Sequence, residues 1–315
     1  MSSRDGTRAP GLSLRTSAGT FDLGERPWLM GIVNASPDSF SDAGTHRTLD
    51  DRVALAAELL EAGARVIDIG GESGVTGVPP VAAQEEISRV VPLIERVAGE
   101  LGALVSVDTY KPSVARAAVA AGAAIVNDVS GLRDPGLADV CAETGAGLVL
   151  MHTRAAPKHK LLDPGMDGRV VADVQLFLSE RIALALERGV AFEQIVLDPG
   201  PDFGKTPAQT VDVLRALPGL HALGRPLLLA VSRKDFIGAI TLRPPRERLA
   251  GTLAAVGFGV EAGAHILRVH DVDEVADFLS VRAALAGEAA DDSSLNLPVD
   301  LRREPRSAAS GREVG

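Results

Sequence analysis

The sequence is poor in aromatic side chains and in cysteine. Aromatic residues make up 3% of the 315 positions, with one Trp and one Tyr, so the core must be packed mainly with Val, Leu, Ile and Ala. Aliphatic packing of this kind suits β/α layers better than an aromatic-rich sandwich. Cys141 is the single cysteine, which excludes an intramolecular disulfide and a metal site built from cysteines alone.

An excess of positive charge and a long apolar run are also missing. Lys and Arg number 32 against 42 Asp and Glu, which gives a formal net charge of −10, so we expect no nucleic-acid partner. No apolar stretch approaches the ~18 residues of a membrane span, and Met1–Pro10 has no apolar core of a signal peptide. These absences predict a cytoplasmic enzyme with no membrane partner.

A short pattern recurs four times along the chain. Each copy reads as the end of a helix, a glycine and a short apolar strand that ends in a polar residue, and the copies are Glu61–Asp68, Ala121–Asp128, Thr144–His152 and Glu261–His270. A glycine at this point suits the left-handed conformation in which many helices end. The repeat therefore predicts several helix-to-strand units of one kind.

Eight strands are predicted to alternate with eight helices. Besides the four strands of the repeat, strands are predicted at Trp28–Asn34, Leu104–Asp108, Gln194–Asp198 and Pro226–Ser232. The predicted helices are Asp50–Ala62, Ala82–Leu101, Pro112–Ala121, Asp134–Thr144, Gly168–Gly189, Pro207–Leu217, Arg246–Ala262 and Val272–Ala286. A doubly wound open sheet uses the same units, but the count of eight favours an α/β fold of the (β/α)8 TIM-barrel type.

The two ends of the chain differ from the barrel between them. Leu12–Leu23 is predicted to form an N-terminal β-hairpin that plugs the bottom of the barrel. Residues 1–11 are predicted to be disordered, and residues 287–315 lack periodicity and read as a disordered C-terminal tail. The predicted barrel domain is therefore 12–286.

Polar residues stand at the carboxyl ends of all eight predicted strands, where TIM barrels carry their catalytic groups. They are Asn34, Asp68, Glu72, Asp108, Asn127, Asp128, His152, Asp198, Ser232, Arg233, Lys234, Arg268 and His270. A polar residue ends many strands without any function. Eight converging ends rich in Asn, Asp, Arg and His nevertheless predict one polar pocket that holds both carboxylates and cations.

Arg268 and His270 are two residues apart, so their side chains share one side of a strand. A guanidinium beside an imidazole suits an anion, and phosphate is the anion that it fits best. The alternative is an Arg that caps a helix and a structural His. The sequence alone leaves both open.

Hydrogen-bond acceptors for a flat heterocycle are supplied by Asp108, Asn127 and Asp198. They could accept hydrogen bonds from amino and ring N–H groups, while Lys234 could donate to a ring carbonyl on the opposite edge.

Gly200–Thr206 resembles a phosphate-binding P-loop but has three residues between its glycines instead of four, which argues against nucleotide hydrolysis. His152 and His159 show no compact spacing for zinc.

Read in order, these motifs resemble those of the dihydropteroate synthases of the pterin-binding TIM-barrel superfamily. The matching segments are MGIVNASPDSFSD at 30–42, DIGGES at 68–73, SVDT at 106–109, NDVSG at 127–131, DPG at 198–200, FGKT at 203–206, SRK at 232–234 and RVH at 268–270. The resemblance implies an enzyme that joins a dihydropterin methyl diphosphate to 4-aminobenzoate, releases diphosphate and forms a homodimer.

The resemblance also implies roles for individual residues. The pterin would be held by Asp108, Asn127, Asp198, Lys234 and Met151. The diphosphate would be held by Asn34, Arg268 and His270, with Mg²⁺ bridging Asn34 and the leaving group. The 4-aminobenzoate would be bordered by Phe40, Phe203 and Ser232, and Asp38 would close over the reacting methylene.

The sequence departs from the family pattern on the side of the second substrate. Gly74 and Val75 follow the GGES motif where the family usually has Thr and Arg, residues 152–157 differ from the usual stretch, and Asp202 stands where Gly is common. One interpretation is a working synthase with an altered loop. Another is a pterin-binding paralogue with a different acceptor or no transfer. A third is a methyltetrahydrofolate-binding methyltransferase module, although such a module offers no reason for Arg268, His270 and the 232–234 motif together.

Overall fold

The computed structural model describes residues 12–24, 26–36, 48–288, 296–298 and 301. The predicted disordered segment 1–11 lies outside the described residues, as does most of the predicted tail 287–315. The chain divides into two compact units, Met1–Ala276 and Asp277–Gly315. In the second unit, the described part is mainly the end of the last helix, where Arg282 and Glu288 form an ion pair of 3.4 Å.

Eight parallel strands form the sheet of the first unit. They are β3 (Trp28–Asn34), β4 (Ala64–Gly70), β5 (Leu104–Asp108), β6 (Ile125–Asp128), β7 (Gly147–Met151), β8 (Ile195–Asp198), β9 (Leu228–Leu229) and β10 (Ile266–Val269). Their order is β8-β7-β6-β5-β4-β3-β10-β9. A parallel bridge between Leu197 and Leu227 joins the two outer strands, so the sheet closes into the predicted TIM barrel.

The predicted N-terminal hairpin is present as β1 (Ser13–Thr16) and β2 (Gly19–Asp22), which pair antiparallel. Leu14 belongs to the same buried cluster as Trp28 and Ile266, the first residues of β3 and β10. Arg225 also donates a hydrogen bond to the Ser13 carbonyl over 2.8 Å. The hairpin therefore closes the amino-terminal end of the barrel, which leaves the carboxyl ends of the strands for the site.

Nine α-helices occur in the described residues. They are α1 (Leu49–Glu61), α2 (Ala83–Gly99), α3 (Pro112–Ala120), α4 (Gly136–Thr144), α5 (Val170–Glu187), α6 (Pro207–Arg215), α7 (Asp235–Thr241), α8 (Leu249–Glu261) and α9 (Val272–Leu285). The two-turn helix α7 was not expected, because seven residues are too few to show a helical period. None of these helices has the length and apolar character needed to cross a membrane.

The glycines of the four repeats adopt the predicted left-handed conformation. Their φ angles are 105° at Gly63, 115° at Gly122, 76° at Gly145 and 86° at Gly263. A residue with a Cβ is disfavoured at such angles, so each glycine ends its helix and turns the chain into the next strand. The recurring sequence pattern therefore corresponds to one structural unit that occurs four times in the fold.

Candidate active site

A cavity of about 560 Å³ opens at the carboxyl ends of the strands. Its walls come from the loops that follow six strands: 72–76 after β4, 108–110 from the end of β5, Val129 after β6, and parts of 153–162, 202–205 and 233–235 after β7, β8 and β9. Asp108, Phe203 and Lys234 of the predicted site lie on these walls. Among the described residues of the predicted site, those that do not line the cavity are Asn34, Asn127, Met151, Asp198, Ser232, Arg268 and His270. The structure therefore brings part of the predicted site to a cavity at the carboxyl ends of the strands, where TIM barrels carry their sites.

Strand register sets several predicted residues side by side. Asn34, Gly70, Asp108 and Asn127 are successive partners across β3 to β6, so they form one layer of the barrel. Met151 is likewise the register partner of Asp198 on the next pair of strands. The layer explains how residues far apart in sequence become neighbours at the floor of the site, and Asp108 is the member of it that lines the cavity.

Arg268 lies between two carboxylates at this floor. Its Nε donates to Oδ2 of Asp68 over 2.6 Å, and its Nη2 donates to Oδ2 of Asp108 over 2.8 Å. Asn127 donates to the same oxygen of Asp68 over 3.2 Å. The other oxygen of Asp68 is buried and accepts no hydrogen bond from the described residues. Arg268, predicted to hold the diphosphate, therefore contacts Asp108, which is predicted to hold the pterin.

Burial raises the pKa of Asp108 to about 7. Arg268 opposes this rise, while the negative charge of Asp68 adds to it. The pKa of Asp198 is also raised by burial, although its Oδ1 accepts a hydrogen bond of 2.7 Å from the Gly200 amide. Carboxyl groups of this kind keep strong acceptor sites in a partly dry environment, which suits recognition of N–H donors.

Lys234 stands over the ring of Phe203, with Nζ 4.3 Å from the ring centre. Burial lowers the pKa of Lys234, and the carboxylates of Asp202 and Asp198 partly offset that effect. An ammonium group held over an aromatic face gains a cation–π attraction. Phe203 thereby borders the site and fixes the cation that the sequence predicts to read a ring carbonyl.

The Ser-Arg-Lys turn is held by a bidentate ion pair. Arg233 has a left-handed φ of 59° and its guanidinium bonds both carboxylate oxygens of Asp271, with Nε at 3.1 Å from Oδ2. Arg248 donates to the carbonyl of Lys234 over 3.0 Å. Ser232 Oγ lies 2.9 Å from Nδ1 of His270. These contacts place Ser232 and His270 together and aim Lys234 into the cavity.

Asp202, a departure from the family pattern, has a structural use. Its φ of 65° is left-handed, which explains why glycine suits the position. Its Oδ2 accepts hydrogen bonds from the amides of Asp235 and Phe236 at the start of α7, the second over 3.3 Å. Its Oδ1 accepts one of 2.9 Å from Thr210. The carboxylate therefore caps α7 directly after Lys234.

His152, at the end of β7, does not line the cavity. It is fully buried, with Nδ1 2.7 Å from Nζ of Lys205 and Nε2 3.1 Å from Oδ2 of Asp173. Burial, followed by the charge of Lys205, lowers the pKa of His152 to about 2, and burial lowers the pKa of Lys205 to about 7. The imidazole is therefore neutral and accepts at Nδ1. Lys205 also donates to the Gly200 carbonyl over 2.8 Å, so the pair stabilises the 198–205 loop.

Glu72, which the sequence places after β4, is the centre of a charged cluster beside the cavity. It accepts from Lys111 over 2.5 Å and from Tyr110 over 3.0 Å, and its Oε1 lies 3.1 Å from Nζ of Lys158. Lys111 also pairs with Glu86 at 2.5 Å. The hydrogen bonds and charges of the two lysines hold the pKa of Glu72 below its usual range, although burial acts in the opposite direction.

Asn34 ends β3 next to Gly70 and is half-buried. Among the residues that the structure describes, no group of three or more His, Cys, Asp or Glu side chains could hold a metal ion. Asp38 and Phe40, the two remaining predicted site residues, lie outside the described residues.

The roles of Lys158, Lys205 and Asp173 are not predicted by the sequence. Lys205 belongs to the FGKT motif at 203–206, but nothing in the sequence indicates its buried partner His152. Lys158 acts on backbone carbonyls of another loop, which carry no sequence signal at all. Asp128, in contrast, was a candidate and uses its carboxylate locally, accepting from Ser130 over 2.8 Å.

Residues 30–270 match the protein family described as pterin binding enzyme. The dihydropteroate synthase of Bacillus subtilis is 44% identical over 273 residues, which cover 86% of this chain and 93% of that protein. The structure of Xanthomonas albilineans dihydropteroate synthase with 4-aminobenzoic acid is similar at a TM-score of 0.79 and 45% identity, covering 87% of this chain and 98% of that one. Burkholderia cenocepacia dihydropteroate synthase complexed with 7,8-dihydropteroate has a TM-score of 0.79 and 40% identity, over 88% and 97% of the two chains.

Proposed function

The chain belongs to the pterin-binding enzyme family and has the function of a dihydropteroate synthase, and from that premise we propose which of its residues hold each substrate. The reaction joins 6-hydroxymethyl-7,8-dihydropterin diphosphate to the amine of 4-aminobenzoate and releases diphosphate. One observation carries the assignment of residues. The cavity at the strand ends brings Asp108, Phe203 and Lys234 together beside Arg268.

The pterin is proposed to bind at the floor formed by Asp108, Asn127 and Asp198. The two carboxylates accept hydrogen bonds from its amino and ring N–H groups, and Lys234 donates to its ring carbonyl. Asn127 and Asp198 are 2% and 3% exposed, so these bonds form in a nearly dry environment where a mismatched ring would leave polar groups unpaired. Met151, also buried, supplies an apolar surface for the face of the ring.

The diphosphate is proposed to bind to Arg268 and His270. Arg268 uses Nε and Nη2 on Asp68 and Asp108, and its Nη1 donates to no group in the described part of the chain. That nitrogen is therefore suited to an anion placed next to the pterin. Ser232 orients the His270 ring through Nδ1. Positive charge at this end lets the diphosphate leave without building up repulsion in an acidic protein.

Mg²⁺ is proposed to bind together with the diphosphate, with Asn34 as the protein ligand. The amide oxygen of Asn34 is a hard ligand of the kind that Mg²⁺ prefers, and this ion commonly takes most of its other ligands from substrate phosphates and water. A single side-chain ligand at the end of β3 fits that pattern. When bound, the ion would neutralise charge on the leaving diphosphate.

The transfer breaks the C–O bond between the pterin methylene and the diphosphate and forms a C–N bond to 4-aminobenzoate, whose nitrogen loses a proton. The amine needs no base to become a nucleophile, since an aromatic amine is uncharged at neutral pH. Carboxylates at the floor stabilise the positive charge that develops on the dihydropterin as the C–O bond breaks. Phe40, Phe203 and Ser232 are proposed to border the 4-aminobenzoate, and Asp38 is proposed to close over the reacting methylene.

A two-substrate assay tests these assignments. Purified protein with Mg²⁺, the dihydropterin diphosphate and 4-aminobenzoate should release diphosphate and form dihydropteroate in equal amounts. If the protein binds the pterin but forms no dihydropteroate at saturating 4-aminobenzoate, the interpretation as a paralogue with another acceptor is favoured. Removal of Mg²⁺ by a chelator should abolish turnover in the wild type, and Asn34→Ala should raise the Mg²⁺ concentration needed for half-maximal rate.

A homodimer formed through the late helices is also proposed. Three large apolar side chains in this part of the chain are exposed: Ile240 on α7 (68%), Leu242 directly after α7 (88%) and Phe258 on α8 (45%). Exposed apolar patches commonly mark protein interfaces. Analytical ultracentrifugation should show a dimer for the wild type and a monomer for Ile240→Asp with Leu242→Asp. The cytoplasmic location stays a prediction.

A further inference from the structure

Lys158 holds the loop after β4 at three alternate residues. Its Nζ donates to the carbonyl of Ser73 and, over 3.4 Å, to the carbonyl of Val75, and its own carbonyl accepts from the Gly77 amide over 2.9 Å. We refer to residues 73–77 as the acceptor loop. One residue of the β7–α5 loop therefore sets the course of the whole acceptor loop.

The side chain of Lys158, which tethers the acceptor loop, is itself held by an ion pair. Nζ of Lys158 lies 3.1 Å from Oε1 of Glu72, and the two side chains are 9% and 6% exposed. Glu72 is itself held by Lys111 and by the amide of Val81, the second over 3.0 Å. An ion pair with so little solvent around it is screened less than a surface pair. Lys158 is thus anchored at the point where the acceptor loop leaves the barrel.

The backbone of Lys158 is shaped for this contact. Its φ of 67° is left-handed, an arrangement that a residue with a Cβ adopts only when its surroundings hold it there. A turn across the preceding residues, closed by the His159 amide donating to the Ala156 carbonyl over 3.0 Å, presents Lys158 to the loop. The contact is therefore built by the fold and is not a chance meeting of two surface loops.

The acceptor loop is the segment in which Gly74 and Val75 replace the Thr and Arg usual in the family. Gly74, Val75 and Lys158 all line the cavity. Neither glycine nor valine has a polar side-chain group that could fix the loop. We propose that Lys158 is the positioning residue that fixes the acceptor loop over the cavity in place of those side chains and thereby sets the affinity for 4-aminobenzoate. The proposal rests on the function stated above.

Steady-state kinetics of Lys158→Met test the proposal. Met keeps the length and apolar stem of Lys but cannot donate, so the acceptor loop loses two hydrogen bonds and Glu72 loses one ion pair. We expect KM for 4-aminobenzoate to rise about tenfold, with KM for the pterin diphosphate and kcat within about twofold of the wild type. Lys158→Arg, which keeps the charge and the donors, should recover most of the loss.

Arg133→Met is the control. Arg133 lies on the loop after β6, is exposed, is not among the residues that line the cavity, and its side chain forms no hydrogen bond or ion pair with a described residue. The same substitution there should leave KM for 4-aminobenzoate unchanged. An equal rise in both variants would overturn the proposal, because it would assign the effect to the loss of a positive charge and not to the contacts of Lys158 with the acceptor loop. An unchanged KM in Lys158→Met would overturn it as well.

Hydrogen–deuterium exchange provides a readout that does not depend on catalysis. Peptides covering 73–77 should exchange faster in Lys158→Met than in the wild type, while peptides from β5 and β6 stay unchanged and the melting temperature shifts little. Equal exchange in the two proteins would contradict the tether. Should Lys158→Met fail to fold, Lys158→Gln is measured under the same criteria. A wild type without synthase activity would refute the proposed function alone, since the exchange result stands independently.

Discussion

Arg268 donates a hydrogen bond of 2.8 Å from Nη2 to Oδ2 of Asp108. The two residues are 160 positions apart, and they belong to the halves of the site proposed for the diphosphate and for the pterin. A charged contact between the halves means that ionisation of one carboxylate affects how both ends of a single substrate are held. It also keeps a carboxylate with a raised pKa in contact with a permanent cation.

The first prediction concerns pH and Asp108. Because burial raises the pKa of this carboxyl to about 7, it is neutral below that pH and becomes a charged acceptor above it. Pterin affinity should therefore increase as the pH rises through about 7, and Asp108→Asn should weaken binding and reduce the pH dependence. Calorimetry with a 6-hydroxymethylpterin that lacks the diphosphate measures this without a contribution from titration of phosphate. Equal pH profiles for the two proteins would refute the assignment.

The second prediction concerns the acceptor loop. Gly74→Thr with Val75→Arg restores the residues usual in the family, and a Cβ at Gly74 meets no atom within 4 Å. One added charge-assisted contact should lower KM for 4-aminobenzoate about threefold to tenfold, with a larger effect in the Lys158→Met background, where the loop has lost its tether. Initial-rate kinetics check this. Identical KM values in all four proteins would show that the loop does not govern acceptor binding.

The third prediction concerns the cap of α7. Asp202→Ala removes the acceptor for two helix amides and places an alanine at a φ of 65°, so the free energy of unfolding should fall by about 2 kcal/mol. Asp202→Gly removes the same cap without backbone strain and should cost only about half as much. Urea denaturation of the two variants separates the loss of the helix cap from the backbone strain at residue 202. A more stable Asp202→Ala than Asp202→Gly would contradict this account.

The fourth prediction compares two glycines. A Cβ at Gly200 would lie 2.0 Å from the carbonyl oxygen of His152, and the φ of Gly200 is 63°. Gly200→Ala should therefore cost at least about 2 kcal/mol of stability and weaken pterin binding, since the Gly200 amide bonds Asp198. Gly74→Ala, where the space is open, should change stability by less than about 0.5 kcal/mol. Melting temperatures of both variants provide the test.

Local sequence signals were sufficient for most of the barrel. The glycine at each helix end and the apolar run after it are short-range features, and the four repeats all have the predicted conformation. Strand bounds agreed residue for residue at Trp28–Asn34 and Leu104–Asp108. Predictions were less accurate for the shortest elements. The strand expected at Pro226–Ser232 is only Leu228–Leu229, and the seven-residue helix α7 was not predicted.

The barrel, the polar strand ends and the family could be predicted before the structure was known, because they depend on periodicity and on the order of motifs along the chain. Which of those polar groups touch depends on the folded structure. Strand register put Asp108 next to Asn127, and barrel closure brought Arg268 to Asp68. The folded loops also gave Lys158 its partners, since hydrogen bonds to backbone carbonyls depend on where a loop runs and not on which side chains it carries.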